Sequence, residues 1–104
     1  MSSVLTSNVH SMRVVALTFD PAQLSTGPSV GEQDFTVPGV KVGDLVFVNK
    51  PSLTAAATIG NARVKSADTI SVQFVASAGT PNPASETYLL LVVRPQVAGT
   101  DAFM

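Results

Sequence analysis

Residues 86–94 read Glu86-Thr87-Tyr88-Leu89-Leu90-Leu91-Val92-Val93-Arg94, and the six positions from Tyr88 to Val93 are all apolar. A strand points alternate side chains to opposite faces, so both faces of this strand are apolar. One face consists of Tyr88, Leu90 and Val92, and the other of Leu89, Leu91 and Val93. The first face can pack on the core of the chain, whereas the second needs cover from another source.

Two further segments repeat this doubly apolar pattern: Leu45-Val46-Phe47-Val48 and, more weakly, Val14-Val15-Ala16-Leu17. Turn residues such as Pro38-Gly39 and Asn49-Lys50-Pro51 separate short β-prone segments, and no helical period of useful length occurs. Strands are predicted over residues 12–19, 32–37, 45–48, 59–64, 69–76 and 86–94. The chain is therefore predicted to be all-β, a single small antiparallel β-sandwich or partly closed barrel of about six strands.

The length of 104 residues fits one domain. We assign residues 1–11 to a flexible N-terminal arm, residues 12–95 to the β-sandwich domain and residues 96–104 to a C-terminal tail. The first residues lack the basic start and apolar block of a signal peptide, and no apolar run approaches the ~20 residues that span a bilayer. We expect synthesis in the cytoplasm of the producing cell and no membrane partner.

Charged residues are scarce and balanced. They make up 12% of the chain, against roughly 25% in an average soluble domain. The formal net charge is −1, and the six basic residues form no cluster. Because phosphate neutralisation dominates nonspecific nucleic-acid binding, we expect no nucleic-acid partner. Low charge with 45% hydrophobic residues instead suits a protein that packs against neighbours.

Few residues offer catalytic chemistry, and none is predicted to bind a cofactor or metal. The single His, His10, falls in the predicted arm, and there is no Cys. Phosphate-loop, serine-hydrolase and His-x-x-x-His motifs are missing from the sequence. Glu32 and Asp34 share one strand face, where they form either a Ca²⁺ or glycosidase pair or, as we favour, a solvated edge. Asp44 and Asp68 are assigned to turns.

The aromatic residues are few. We assign those in strand patterns to the core, namely Phe19, Phe35, Phe47, Phe74 and Tyr88. Phe103 lies in the tail, where it either anchors that tail on a neighbour or has no contact.

Several segments resemble small virion structural proteins of tailed bacteriophages. They are residues 33–51 (QDFTVPGVKVGDLVFVNKP), residues 60–64 (GNARV) with 68–70 (DTI), and residues 86–94 (ETYLLLVVR). The likeness covers about residues 12–95 and resembles the β-sandwich modules of capsid cement or decoration proteins and of tail and fibre components. It implies a virion component, assembled in the host cytoplasm.

These observations lead to a first hypothesis, a non-enzymatic capsid cement protein. Such a protein binds the outer shell where major capsid subunits meet, as a homotrimer, and stabilises the shell by burying apolar surface. The residues expected at subunit contacts are Leu89, Leu91 and Val93, with Met12, Val14 and Phe103 as further candidates.

Two other hypotheses remain open. A tail or fibre module could bind a host surface glycan through the loops at residues 51–58 or 81–85, although neither loop contains an aromatic residue. An acid/base enzyme could use Glu32 and Asp34.

Overall fold

The computed structural model describes residues 8–96, which form six strands and no helix. Predictions for residues 1–7 and 97–104, including that for Phe103, lie outside the described residues. The strand bounds are β1 Val9–Phe19, β2 Ser29–Thr36, β3 Leu45–Asn49, β4 Ala57–Ser66, β5 Thr69–Ala76 and β6 Glu86–Pro95.

Two three-stranded antiparallel sheets pack face to face. Sheet A has the order β1-β6-β3 and sheet B the order β2-β5-β4, so the strands form a sandwich and no closed barrel. The doubly apolar strand β6 is the central strand of sheet A, with neighbours on both sides. The all-β prediction is confirmed.

Strands β1 and β2 each begin three residues earlier than predicted. Val9 pairs with Pro95 at the start of β1, and Ser29 pairs with Ala76 at the start of β2. The added residues, 9–11 and 29–31, include only one strongly β-prone residue each, a valine, and Gly31 is of a type depleted in strands. Pairing with a long neighbouring strand supplies the hydrogen bonds that local sequence does not predict.

Aromatic side chains join the two sheets in the core. Phe19 of sheet A stacks on Phe35 of sheet B with ring centroids 4.3 Å apart. Tyr88 lies 5.2 Å from Phe19, and Phe74 lies 6.5 Å from Phe35. The second and third distances lie within the range that favours aromatic pairs. These four residues are among the five core aromatics that the sequence predicts.

Two turns are hydrogen-bonded to each other at one end of the sandwich. Gly39 has a φ of +90°, as the third residue of the predicted type II turn at Pro38-Gly39 requires. Its N–H donates to Asp68 Oδ1 at 2.7 Å, and the Asp68 N–H donates to the Val40 carbonyl at 2.9 Å. The turn after β2 is therefore bonded to the turn between β4 and β5, and Val40 closes the core beneath them.

Candidate interaction surface

The outer face of sheet A carries a continuous group of apolar side chains. The antiparallel register aligns Met12 with Val93, Val14 with Leu91 and Ala16 with Leu89 across β1 and β6, and it aligns Leu45 with Val93 and Phe47 with Leu91 across β3 and β6. We call this group the apolar face: Met12, Val14, Ala16, Leu45, Phe47, Leu89, Leu91 and Val93.

Several members of the apolar face are largely exposed. Val14 is 71% exposed, Phe47 56% and Leu89 46%. With Met12 and Leu45 they expose on the order of 500 Å² of apolar surface, near the upper limit for soluble monomers. The apolar face is therefore larger than the scattered exposed residues of an ordinary protein surface.

The strands of sheet A present no charge on this side. Within residues 12–18 of β1, 45–49 of β3 and 87–93 of β6, the remaining outward positions are uncharged and polar, namely Thr18, Asn49 and Thr87. Arg13 of β1 alternates to the other side, where its Nη2 donates to the Pro38 carbonyl at 3.1 Å. A partner that covers the apolar face would therefore desolvate no ion.

Five of the six residues predicted from sequence at subunit contacts belong to the apolar face: Leu89, Leu91, Val93, Met12 and Val14. Val93 is only 9% exposed because it lies between Met12 and Leu45 on the neighbouring strands. Leu89 and Leu91 retain more accessible surface, and Phe103 lies outside the described part of the chain.

The assignment of Phe47 to the core is wrong. Phe47 and Leu45 point outward from β3, whereas Val46 and Val48 pack inward. The signal was present in the sequence, because residues 45–48 have the same doubly apolar pattern as β6. Alternation alone does not say which set is buried, and the large aromatic ring had favoured the wrong set.

The outer face of sheet B is polar and internally paired. Arg63 on β4 makes a bidentate ion pair with Glu32 on β2, at 2.9 Å for both contacts. Lys65 lies 2.8 Å from Asp34, which also accepts a hydrogen bond from Ser71 at 2.5 Å. We call these residues, Glu32, Asp34, Arg63, Lys65 and Ser71, the polar face.

The geometry of Glu32 and Asp34 is that of structural ion pairs. The hydrogen bond from Arg63 lowers the pKa of Glu32, and the hydrogen bond from Lys65 lowers that of Asp34. A glycosidase acid needs a raised pKa so that it holds a proton near neutral pH. Both shifts run the other way, which fits the solvated-face interpretation of these carboxylates.

His10 is exposed near the start of β1. Between residues 8 and 96, no three His, Asp or Glu side chains approach closely enough to hold a metal ion. No helix that would cross a membrane occurs in that same range. The loops named for the glycan hypothesis contain no aromatic side chain.

Comparison with protein-family models, with curated proteins and with solved structures found no match. The bacteriophage resemblance therefore rests on the sequence segments that carry it.

Proposed function

We propose that this protein is a non-enzymatic virion structural protein of the capsid cement type, which binds the outer shell of a tailed bacteriophage where major capsid subunits meet. The single observation that carries the proposal is the apolar face. An uncharged surface of this size suits contact with a partner, whereas the charges on the other side of the sandwich are solvated.

The two outer faces support a defined orientation on the shell. The apolar face of sheet A contacts the capsid subunits, and the polar face of sheet B points to solvent. The two ion pairs on the polar face satisfy their charges within the chain, so this side needs no partner. Sheet A has no equivalent ion pair across its outer surface among the described residues.

The energetics favour a cement that acts in many copies. Burial of about 500 Å² at about 25 cal/mol per Å² contributes about 12 kcal/mol. Association costs of about 4–15 kcal/mol offset most of this gain. One copy therefore binds weakly, whereas several linked copies bind through a much higher effective concentration. The predicted homotrimer is suited to this mode of binding.

Chemistry on the described residues gives no competing support for an enzyme. Between residues 8 and 96, the only paired carboxylates on a strand face are held by Arg63 and Lys65, and neither has a raised pKa. The proposal accordingly includes no cofactor.

A matched pair of variants tests the proposal. Val14 is 71% exposed on edge strand β1 of sheet A, and Val30 is 62% exposed on edge strand β2 of sheet B. We expect Val14→Asp to weaken co-sedimentation with shells of the encoding phage, assembled without this protein, by at least about tenfold, since a charge enters the buried contact. Val30→Asp should bind as the unsubstituted protein does.

Two outcomes would contradict the proposal. One is that the unsubstituted protein does not bind the shells. The other is that Val14→Asp binds them as well as Val30→Asp. Saturable binding of a host glycan that is unaffected by Val14→Asp would favour the tail or fibre hypothesis.

A further inference from the structure

An open groove runs along the side of the sandwich where β3 and β4 lie next to each other. Among the six described strands, β3 pairs only with β6 and β4 only with β5, so each has an edge without a partner strand from that set. The groove has a volume of about 510 Å³ and is lined by residues 44–48 and 59–64. Free strand edges of this kind are templates for an added extended segment.

The floor of the groove is apolar and formed by the side of the core. Four half-buried side chains that pack on the core line it: Val48, Ile59, Ala62 and Val64. The two charged lining residues are already paired. Asp44 lies 2.8 Å from Arg94, and Arg63 is held by Glu32. The groove therefore suits an extended segment with apolar side chains and little charge.

Residues 97–104 have this composition. They read Val-Ala-Gly-Thr-Asp-Ala-Phe-Met, with a single charged residue. The segment follows Gln96, whose N–H donates to the Asn8 carbonyl at 2.5 Å. The last described residue is therefore still paired with β1, and β3 lies on the opposite side of β6.

The position of Gln96 favours the groove of another copy over the groove of the same copy. Within one copy, the segment would first cross the ends of β6 and β3, about 10–15 Å at an interstrand spacing of about 4.8 Å. Eight extended residues span about 26 Å, so about four would remain. That is fewer than the five residues of β3. A neighbouring copy placed beside the β1 edge requires no such crossing.

We propose that residues 97–104 of one copy add as an extended strand to the β3–β4 groove of the next copy, with Phe103 on the apolar floor. The donor edge at β1 and the acceptor edge at β3 lie on opposite sides of sheet A. The contact is therefore heterologous, and its head-to-tail repetition gives a ring where the rotation between copies closes. A trimer is one such ring. The contact uses the β3 edge of the apolar face at Leu45 and Phe47. It leaves Met12, Val14 and Leu89 free and does not rest on shell binding.

Disulfide cross-linking tests this contact cleanly because the chain contains no cysteine. Asn61→Cys places a thiol in the groove, and Ala102→Cys places one beside Phe103. When the two single variants are mixed at micromolar concentration under mild oxidation, we expect a mixed disulfide dimer. Its yield should exceed the control by about tenfold, because docking raises the effective thiol concentration. The control replaces Asn61→Cys by Thr36→Cys, at an exposed position of β2 on sheet B.

Further variants separate the alternatives. Adding Phe103→Ser to the Ala102→Cys chain should reduce the cross-link to the control level, while circular dichroism reports an unchanged fold. Adding Val14→Asp should leave the cross-link intact, which distinguishes this contact from the shell-binding face. Equal yields with Asn61→Cys and Thr36→Cys would overturn the proposal. So would an Asn61→Cys/Ala102→Cys chain that cross-links only within itself.

Discussion

Tyr88 carries a polar group into the core without a hydrogen-bond partner. The residue is fully buried, and no described side chain or backbone group bonds its hydroxyl. Burial, with a smaller contribution from the charge of Glu86, raises the pKa of Tyr88 to about 12. The ring is needed for the aromatic core, whereas the hydroxyl loses its hydration without compensation.

We expect Tyr88→Phe to leave the free energy of unfolding unchanged or to raise it by up to about 1 kcal/mol, because an unpaired buried hydroxyl is removed. Urea denaturation measures this change. Tyr88→Ala is the control and should cost about 3 kcal/mol or more through the cavity it leaves. A loss of more than about 1 kcal/mol in Tyr88→Phe would mean that the hydroxyl has a partner in solution.

Asp44 forms the turn that the sequence predicts and also takes part in a buried ion pair. Its backbone N–H donates to the Lys41 carbonyl at 2.9 Å, as expected of a turn. Its carboxylate also accepts from Arg94 Nε at 2.9 Å and from Arg94 Nη2 at 2.8 Å. The Asp44 side chain is 3% exposed. The hydrogen bonds from Arg94 therefore hold the pKa of Asp44 below its ordinary value of 3.8.

This lowered pKa predicts the pH dependence of stability. A carboxyl whose folded pKa is depressed stabilises the fold fully above its unfolded pKa and loses that contribution as pH falls through the folded value. Asp44→Asn should cost about 2 kcal/mol at pH 7. The difference between Asp44→Asn and the unsubstituted protein should shrink below about pH 4. Thermal denaturation from pH 7 to pH 2 measures it, and a constant difference would exclude this role for Asp44.

At the scale of elements, Asp68 stabilises the turn of the hairpin between β4 and β5. Asp68 has a φ of +63°, a conformation that Asp and Asn adopt more readily than Ala. Its carboxylate also binds the Gly39 N–H, so the hairpin turn fixes the turn after β2. Sequence correctly placed Asp68 in a turn, but the bond to Gly39 joins residues that are far apart in the chain.

Replacement of Asp68 should therefore discriminate between backbone and side-chain contributions. Asp68→Ala is expected to cost about 1–2 kcal/mol, because it loses the Gly39 bond and strains the left-handed backbone. Asp68→Asn keeps an oxygen acceptor and the backbone preference, so it should cost much less. Chemical denaturation of both variants provides the measurement. Equal losses would mean that the negative charge, and not the turn geometry, is required.

At the scale of the whole molecule, the sandwich has two unlike outer faces. Sheet B holds its charges in ion pairs across the strands, whereas sheet A exposes Val14, Phe47 and Leu89. We expect this difference to be measurable without any partner. Val14→Asp should elute from a phenyl column earlier than the unsubstituted protein, because it divides the apolar face with a charge.

Val30→Asp provides the control for the column experiment. It introduces the same charge at a similarly exposed valine of sheet B, so its elution should shift less than that of Val14→Asp. If both variants elute together, the apolar face is not the surface that dominates retention of the protein on the phenyl column.

The sequence by itself determined the fold class and the two-sided character of β6. Six consecutive apolar residues exceed what one buried face can use, and alternation sorts them into Tyr88, Leu90, Val92 and the opposite set. Turn chemistry at Pro38-Gly39 and Asp68 was readable for the same reason, since both depend on local backbone preferences.

Only the tertiary structure decided how these elements combine. The order β1-β6-β3 places Met12, Val14, Leu45 and Phe47 beside the outward side of β6, and no local pattern specifies which strands become neighbours. The partners of Asp44 and Asp68, and the groove between β3 and β4, likewise depend on residues distant in sequence. Strand pairing is non-local, so a side chain's face and neighbours follow from the assembled sheets.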